Sequence, residues 1–451
     1  MKKSILVLVA LLIAFAPAYA QEANKEAKKA EVKSHLKQHF KPYGFIRNYF
    51  TYDSRESISG TGDLYNYQPK DQNLNAYGDD LNATSTFRFL SLTTRVGLNI
   101  VDYKWRNTEF SGKIEADFYA GLSTKTNQTH SVSGTAQLRL RQAYVTLGWD
   151  SLKMGKDFAR VDLTIGQTWH PMAADLCDVI ALASGAPFEP FNRSPQVKMD
   201  ARLGKYVTLT AAGLWQMQYL STGPEGQSAE YMLYSKTPEA YLGLSFHDKG
   251  FLMRVGADVL SIQPRHLGTD AAGETIKVND RITTASPFIY LQYKKGEFSI
   301  KAKSIFAEAG EHMNLNSGYG ISKINPDGSY EYTPLRNSSS WISIVYGGKV
   351  GAQEDKHPQK LQGILFAGYI HNFGTKDTLV GSLYTPRPNT MREMWRLTPT
   401  LLYTVGKFQV GLEYEITSVQ YGKGLDKHGL AQNDLHWVTN HRVQLMTKYN
   451  F

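Results

Sequence analysis

The sequence predicts an all-β chain closed into a transmembrane antiparallel β-barrel of about sixteen strands, with its third long loop folded inward. Three observations carry this expectation. Apolar and polar residues alternate with period two over strand-length segments, the connections between segments alternate short with long, and the chain ends in an alternating segment closed by Phe451. Composition removes other classes: of 451 residues 42% are hydrophobic, 12% aromatic and 20% charged, and the mean hydropathy is -0.37. That is too polar for a bundle of membrane helices and too aromatic for a disordered chain. The only cysteine, Cys177, has no partner for an internal disulfide.

Taken in chain order, Lys2 and Lys3 precede an apolar run from Ile5 to Ala16, and Ala18-Tyr19-Ala20 supplies a small-x-small cleavage site. Residues 1–20 therefore read as a signal peptide, the apolar run being shorter than the ~18 residues that span a bilayer. No cysteine follows the cut to carry a lipid, and losing Lys2 and Lys3 takes the formal charge from +9 to +7. Export makes nucleic acid an unsuitable partner for that charge. Residues 21–41 are lysine-rich and too short to plug a wide lumen; a solvated tail and a short periplasmic helix are both open readings. Residues 42–451 form the barrel.

The alternation is explicit. Leu90, Leu92, Thr94, Val96, Leu98 and Ile100 share one face, with Arg95 and Asn99 on the other. Phe110, Ile114 and Phe118 oppose Lys113, Glu115 and Asp117, Phe251 to Val259 oppose Arg254 and Asp258, and Phe408 to Ile416 oppose Glu413 and Glu415. A soluble sandwich shares this pattern, so the connections decide. Short ones fall at 204–205, 247–250, 294–296 and 406–407, with longer turns near 101–107, 149–160 and 350–360. Long ones fall near 53–84, 121–135, 169–195, 218–235, 261–281, 308–339, 373–390 and 419–440. These fifteen connections join sixteen strands, with both termini on the short-turn, periplasmic side. In the last strand Val443, Leu445, Thr447, Tyr449 and Phe451 share one face, and Tyr449 with Phe451 form the expected signal for the barrel-assembly machinery. Tyr103, Trp105, Trp149, Trp215 and Trp395 lie near strand ends, as aromatic girdles at a bilayer require.

A sixteen-stranded barrel is wide enough to leave an aqueous channel, which implies passive diffusion of small hydrophilic solutes across the bacterial outer membrane. Trp169 to Pro195 is the expected constriction, because Val179-Ile180-Ala181-Leu182-Ala183 is too apolar for a loop wholly in water. It places Asp175, Asp178, Glu189 and Arg193 near the narrowest point; the alternative is a loop that covers the mouth or an oligomer contact. Period assigns Arg95, Lys113, Lys198, Arg202, Arg254, Lys301, Lys303, Arg396, Arg442 and Lys448 to the lumen, together with Glu115, Asp117, Asp162, Asp200, Asp258, Glu413 and Glu415. Arg139 and Arg141 also look inward, with the apolar phase flipping near Ala143 as a bulge would make it. The cations outnumber the acids, which favours anionic solutes; an inert ladder of cross-strand pairs is the alternative for any single residue.

Gly166-Gln167-Thr168-Trp169, the Asp-bearing loop, Phe191-Asn192-Arg193-Ser194-Pro195-Gln196-Val197-Lys198 and the opening Tyr43-Gly44-Phe45-Ile46-Arg47 resemble the DcaP-like porins. The shared motifs cover residues 43–53 and 139–200, and residues 21–41 are shorter than that family's periplasmic coiled coil. The resemblance implies a homotrimer of sixteen-stranded outer-membrane channels that favour carboxylate-bearing solutes, with Arg193 at the constriction. An enzyme is not expected. His170, His266, His371 and His441 are scattered, without a nucleophile motif, metal-ligand spacing or nucleotide fingerprint, so neither metal nor cofactor is implied. An adhesin or anchor acting through its long loops is the second functional reading.

Overall fold

The computed structural model describes residues 38–60, 64–119, 137–154, 157–350 and 358–451. The expected signal peptide, nearly all of segment 21–41 and the second long loop lie outside the described residues. Sixteen strands form the wall. They are β1 (Phe40–Asp53), β2 in two pieces (Thr86–Leu90 and Arg95–Trp105), β3 (Thr108–Tyr119), β4 (Gln137–Met154), β5 (Asp157–Trp169), β6 (Arg193–Leu203), β7 (Val207–Leu214) and β8 (Glu239–Asp248). Then follow β9 (Phe251–Thr269), β10 (Thr275–Lys295), β11 (Phe298–Glu308), β12 (Tyr330–Tyr346), β13 (Gln359–Thr375), β14 (Met391–Val405), β15 (Phe408–Leu425) and β16 (Ala431–Asn450).

Each strand pairs antiparallel with its sequence neighbour, and β1 pairs with β16 from Phe45 opposite Asn450 to Asp53 opposite Arg442. Closure removes sheet edges, which in hydrocarbon would leave backbone groups unsatisfied at several kcal/mol each. The seam is reinforced inside by Arg442, whose Nε and Nη2 donate to both Asp53 oxygens at 2.8 and 2.9 Å. At the short-turn end the Phe451 amide donates to the Gly44 carbonyl at 3.1 Å. A Cβ on Gly44 would lie 2.4 Å from the Phe451 ring, so only glycine admits the terminal aromatic there.

The period-two pattern holds around the wall. On β8, Leu242, Leu244 and Phe246 face outward while Glu239 and Tyr241 are buried inside. Tyr103, Trp105, Tyr206, Tyr346, Phe408, Tyr449 and Phe451 form an exposed aromatic belt near the short turns, where amphipathic rings meet a membrane interface.

Three expectations need correction. The segment 90–100 is not one continuous strand: β2 breaks at residues 91–94, where Thr93 adopts a left-handed φ of 68°. The long loops expected at 261–281 and 419–440 are mostly strand, leaving only 270–274 and 426–430 as connections. These hairpins go on exchanging backbone hydrogen bonds beyond the apolar belt, where water on both faces erases the alternation that marked the strands. The connection after β1 is not plain loop either, since Ser57–Gly60 pairs with Tyr65–Pro69 as a hairpin whose tyrosines are buried.

Candidate functional site

The site is the barrel interior, and its shape is set by connections that enter it. L3 (residues 170–192) leaves β5 and lies against the inner faces of β11 to β15. Lys303 Nζ donates to the Met172 and Asp175 carbonyls at 2.8 and 3.0 Å, and Lys301 Nζ pairs with Asp178 at 2.9 Å. The Ile180 amide and the Ser184 hydroxyl both donate to Glu413, at 3.1 and 2.5 Å. The segment then returns, the Phe188 carbonyl accepting from Ser339 Oγ at 2.7 Å. Inward glycines make room for it: a Cβ on Gly368 would meet the Phe188 ring at 2.5 Å, and one on Gly411 would meet Ile180 at 2.8 Å. Phe188 and Cys177 join Tyr290, Trp341, Phe366 and Ile370 in one apolar cluster, so the interior between L3 and this wall is packed core rather than water.

The Tyr65–Pro69 strand also enters. Asn66 Nδ2 donates to Glu415 at 2.8 Å, Gln68 Nε2 to the Tyr421 hydroxyl at 3.0 Å, and Tyr65 and Tyr67 pack with Ile180 and Phe191. Arg396 ties both inserts to the wall. Its Nη1 donates to the Ser184 and Ala186 carbonyls at 2.7 and 2.8 Å, Nη2 to the Asn66 carbonyl, and Nε to Thr417 Oγ1 at 2.8 Å. The sequence placed Arg396 at the pore lining; it does face inward, but it is sealed beneath two loops.

The opposite wall, β16 and β1 to β6, carries a basic ladder. Lys448, Arg47 and Arg95 surround the Phe45 ring at 4.6, 4.8 and 5.0 Å from its centroid. Arg95 lies 3.5 Å from Glu115, and Arg141 bridges Glu115 and Asp117 at 2.8 and 2.7 Å. Arg139 pairs with Asp117 at 3.0 Å, while Tyr43 donates to Glu115 at 2.7 Å. The β4 register slips here: Glu115 faces Gln142 and Ala116 faces Leu140, so Arg141 is the extra residue of a bulge. That slip turns both Arg141 and Gln142 to Glu115.

Arg193, expected at the constriction, is as buried as Arg396 at 1% exposed, and stacks over Trp169 and Phe191, its guanidinium carbon 4.7 and 5.3 Å from their centroids. Neither Nη1 nor Nη2 has a hydrogen-bond partner among the described residues; the same holds for Arg141 Nη2 and Arg95 Nε. A cavity of about 330 Å³ is lined by Tyr67, Arg139, Gln167, Arg193, Gln218 and Tyr219.

The other expected residues separate into two groups. Lys198, Arg202 and Arg254 line a wider cavity of about 570 Å³ near the short turns with Asp162 and Asp200, where Lys198 pairs with Asp200 at 2.5 Å. Asp175, Asp178 and Glu189 belong to L3, yet Asp175 and Asp178 are engaged by Arg254 at 3.2 Å and by Lys301. Glu189 is fully buried and accepts the Cys177 amide at 2.7 Å. Burial pushes its carboxyl up to about 7, against the pull of that amide. The folded pKa lies above the ordinary 4.5, so between these values the native state holds a proton that the unfolded chain releases, and stability falls as pH rises from about 4.5 to 7. Glu189→Gln is expected to raise stability at pH 8 by about 1–3 kcal/mol and to flatten the urea-unfolding profile across that window. An unchanged profile would place the proton elsewhere.

Sequence reading missed the inward hairpin and a buried cluster of His170, Glu239, Asp258 and His312. The first had a signal in the large apolar side chains at inward positions such as Phe366 and Ile370, which no water-filled lumen requires. The second had none, since its members come from four separated segments.

A closed sixteen-stranded antiparallel barrel with an apolar exterior, short turns at one end and inserted loops at the other defines a transmembrane β-barrel of the outer-membrane type. No protein-family model and no curated protein matches the chain by sequence. Among solved structures it is similar to the DcaP outer-membrane channel of Acinetobacter baumannii, at 17% identity and a TM-score of 0.58 over 91% of this chain and 97% of that one. OprB of Pseudomonas putida matches at 11% identity and a TM-score of 0.48, covering 96% and 100% of the two chains. An anion-selective porin from Comamonas acidovorans matches at 10% and 0.47, covering 91% and 99%. The DcaP match establishes the fold.

Proposed function

We propose that the protein is a passive diffusion channel for small anionic, carboxylate-bearing solutes, assembled as a homotrimer in outer-membrane lipid. The observation that carries this reading is the excess of cations in the ladder of Lys448, Arg47, Arg95, Arg141, Arg139 and Arg193, which among the described residues pairs with Glu115 and Asp117 and leaves buried guanidinium atoms of Arg193, Arg141 and Arg95 without hydrogen-bond acceptors. Fixed cations of one sign attract counter-charged solutes and repel like-charged ones. The opposite wall supports the reading indirectly, because L3 packs against it and would narrow passage towards the basic side. Residues 1–20 would direct export, with Tyr449 and Phe451 read by the assembly machinery. The trimer rests on the resemblance to DcaP-like porins.

The test is single-channel recording in planar bilayers under a salt gradient, with an anion-selective reversal potential as the expected result. Arg193→Gln removes a charge without leaving an acid unpaired, and is expected to lower the anion-to-cation permeability ratio by about threefold. Cation selectivity in the unsubstituted protein would sink the anion assignment. A barrel that inserts without conducting would leave anchoring or adhesion as its role.

A further inference from the structure

We infer that Glu239, Asp258 and His312 bind one first-row divalent cation, Zn²⁺ by their donor set, with His170 positioning Glu239. The four side chains come from the start of L3, the first residue of β8, the middle of β9 and the one-turn helix Gly310–Met313, and none is more than 1% exposed.

The hydrogen bonds fix the tautomers. His312 Nδ1 faces the Ala309 carbonyl at 3.2 Å, so it carries the ring proton and leaves the Nε2 lone pair free. That Nε2 has no hydrogen-bond partner and lies 3.3 Å from Glu239 Oε1 and 3.6 Å from Asp258 Oδ2. Charge-assisted N–H···O bonds are shorter, about 2.7–2.9 Å. Ligand atoms held tetrahedrally about 2.0–2.2 Å from a zinc ion are about 3.3–3.6 Å from one another. His170 is arranged differently: its Nδ1 accepts the Met172 amide at 3.1 Å, so its proton sits on Nε2 and is donated to Glu239 Oε1 at 2.6 Å. A histidine that donates to a ligating carboxylate orients that ligand.

Charge balance points the same way. Among the described residues, the two histidines are the only ion-pair partners of Glu239 and Asp258. A divalent cation neutralises both carboxylates. Glu239 Oε2 and Asp258 Oδ1 are likewise buried without hydrogen-bond partners. Imidazole with carboxylates suits zinc and its first-row neighbours better than calcium. Such an ion would cross-link β8 and β9 to the loop bearing His312, and through His170 to the root of L3.

The experiment refolds the chain into detergent micelles with one equivalent of Co²⁺ and records its visible spectrum. Elemental analysis of protein purified from outer membranes without chelator accompanies it. The expected results are the intense d–d bands of a four-coordinate ion and about one zinc per chain. Glu239→Gln and His312→Gln should abolish the bands while the barrel keeps its heat-modifiable mobility on gels. His170→Gln should weaken cobalt binding about 10–100-fold without abolishing it. A wild-type chain with no bands and no stoichiometric metal overturns the proposal whether or not the variants fold. Variants that bind cobalt as tightly as wild type overturn it equally.

Discussion

Replacing Arg396 by methionine is expected to lower stability towards urea by about 3–5 kcal/mol and to turn a steady conductance into a larger, fluctuating one. The side chain is 1% exposed, and its three nitrogens all donate, to the Ser184, Ala186 and Asn66 carbonyls and to Thr417. It also stacks over Phe188 at 5.3 Å and lies 3.4 Å from Glu415. Methionine retains most of the apolar stem, so packing loss is small. Three carbonyls lose their donor, and Glu415 keeps only neutral partners, Asn66 and Thr417, for a buried charge. Breaking one side of a buried ion pair is costly because the other charge stays uncompensated. Arg396→Met combined with Glu415→Gln should therefore recover part of the loss, a positive coupling in a double-mutant cycle. Since the same guanidinium holds L3 and the Tyr65–Pro69 strand, both should fluctuate once it is gone. A loss below about 1 kcal/mol with unchanged single-channel noise would show that the inserts are held elsewhere.

Exchanging residues 176–187 for a short Gly-Ser linker is the second large change, with conductance expected to rise about threefold or more. This stretch carries Ile180, which packs at Gly411, and the Ser184 and Ala186 carbonyls that cap Arg396; without it Phe188 loses its tether over Gly368. Its removal opens the half of the lumen lined by Tyr290, Trp341 and Phe366. Lys301 would lose Asp178 and become available to permeating anions, so anion preference should persist in the wider channel. Conductance measured in planar bilayers decides between two outcomes. An unchanged value would mean that L3 does not set the width of the pathway.

How much of this was legible in the chain follows from which interactions are local. The alternation around Leu242 and Leu244, or along Val443 to Tyr449, marks strands and faces because consecutive side chains point to opposite sides. The turns at 204–206 and 406–407 were readable for the same reason. The flip near Ala143 signalled the bulge at Arg141. Period assigned the basic residues of β2 and β4 to the interior, but their partners were not readable, because a cross-strand pair depends on register and a one-residue slip exchanges it. Arg396 shows the limit: period gives the direction of its side chain, and only the folded loops determine whether it meets water or carbonyls.

The sequence by itself determined a closed barrel and its strand number, and it predicted the sign of charge on the inner wall. Each follows from period-two geometry, the length a bilayer demands and a simple count of cations. The tertiary structure alone decided that two connections pack inside the barrel, that Arg193 is buried beside Trp169, and that His170 and His312 meet Glu239 and Asp258. Those outcomes bring together residues dozens to hundreds of positions apart, held by packing and buried charge that no local pattern encodes.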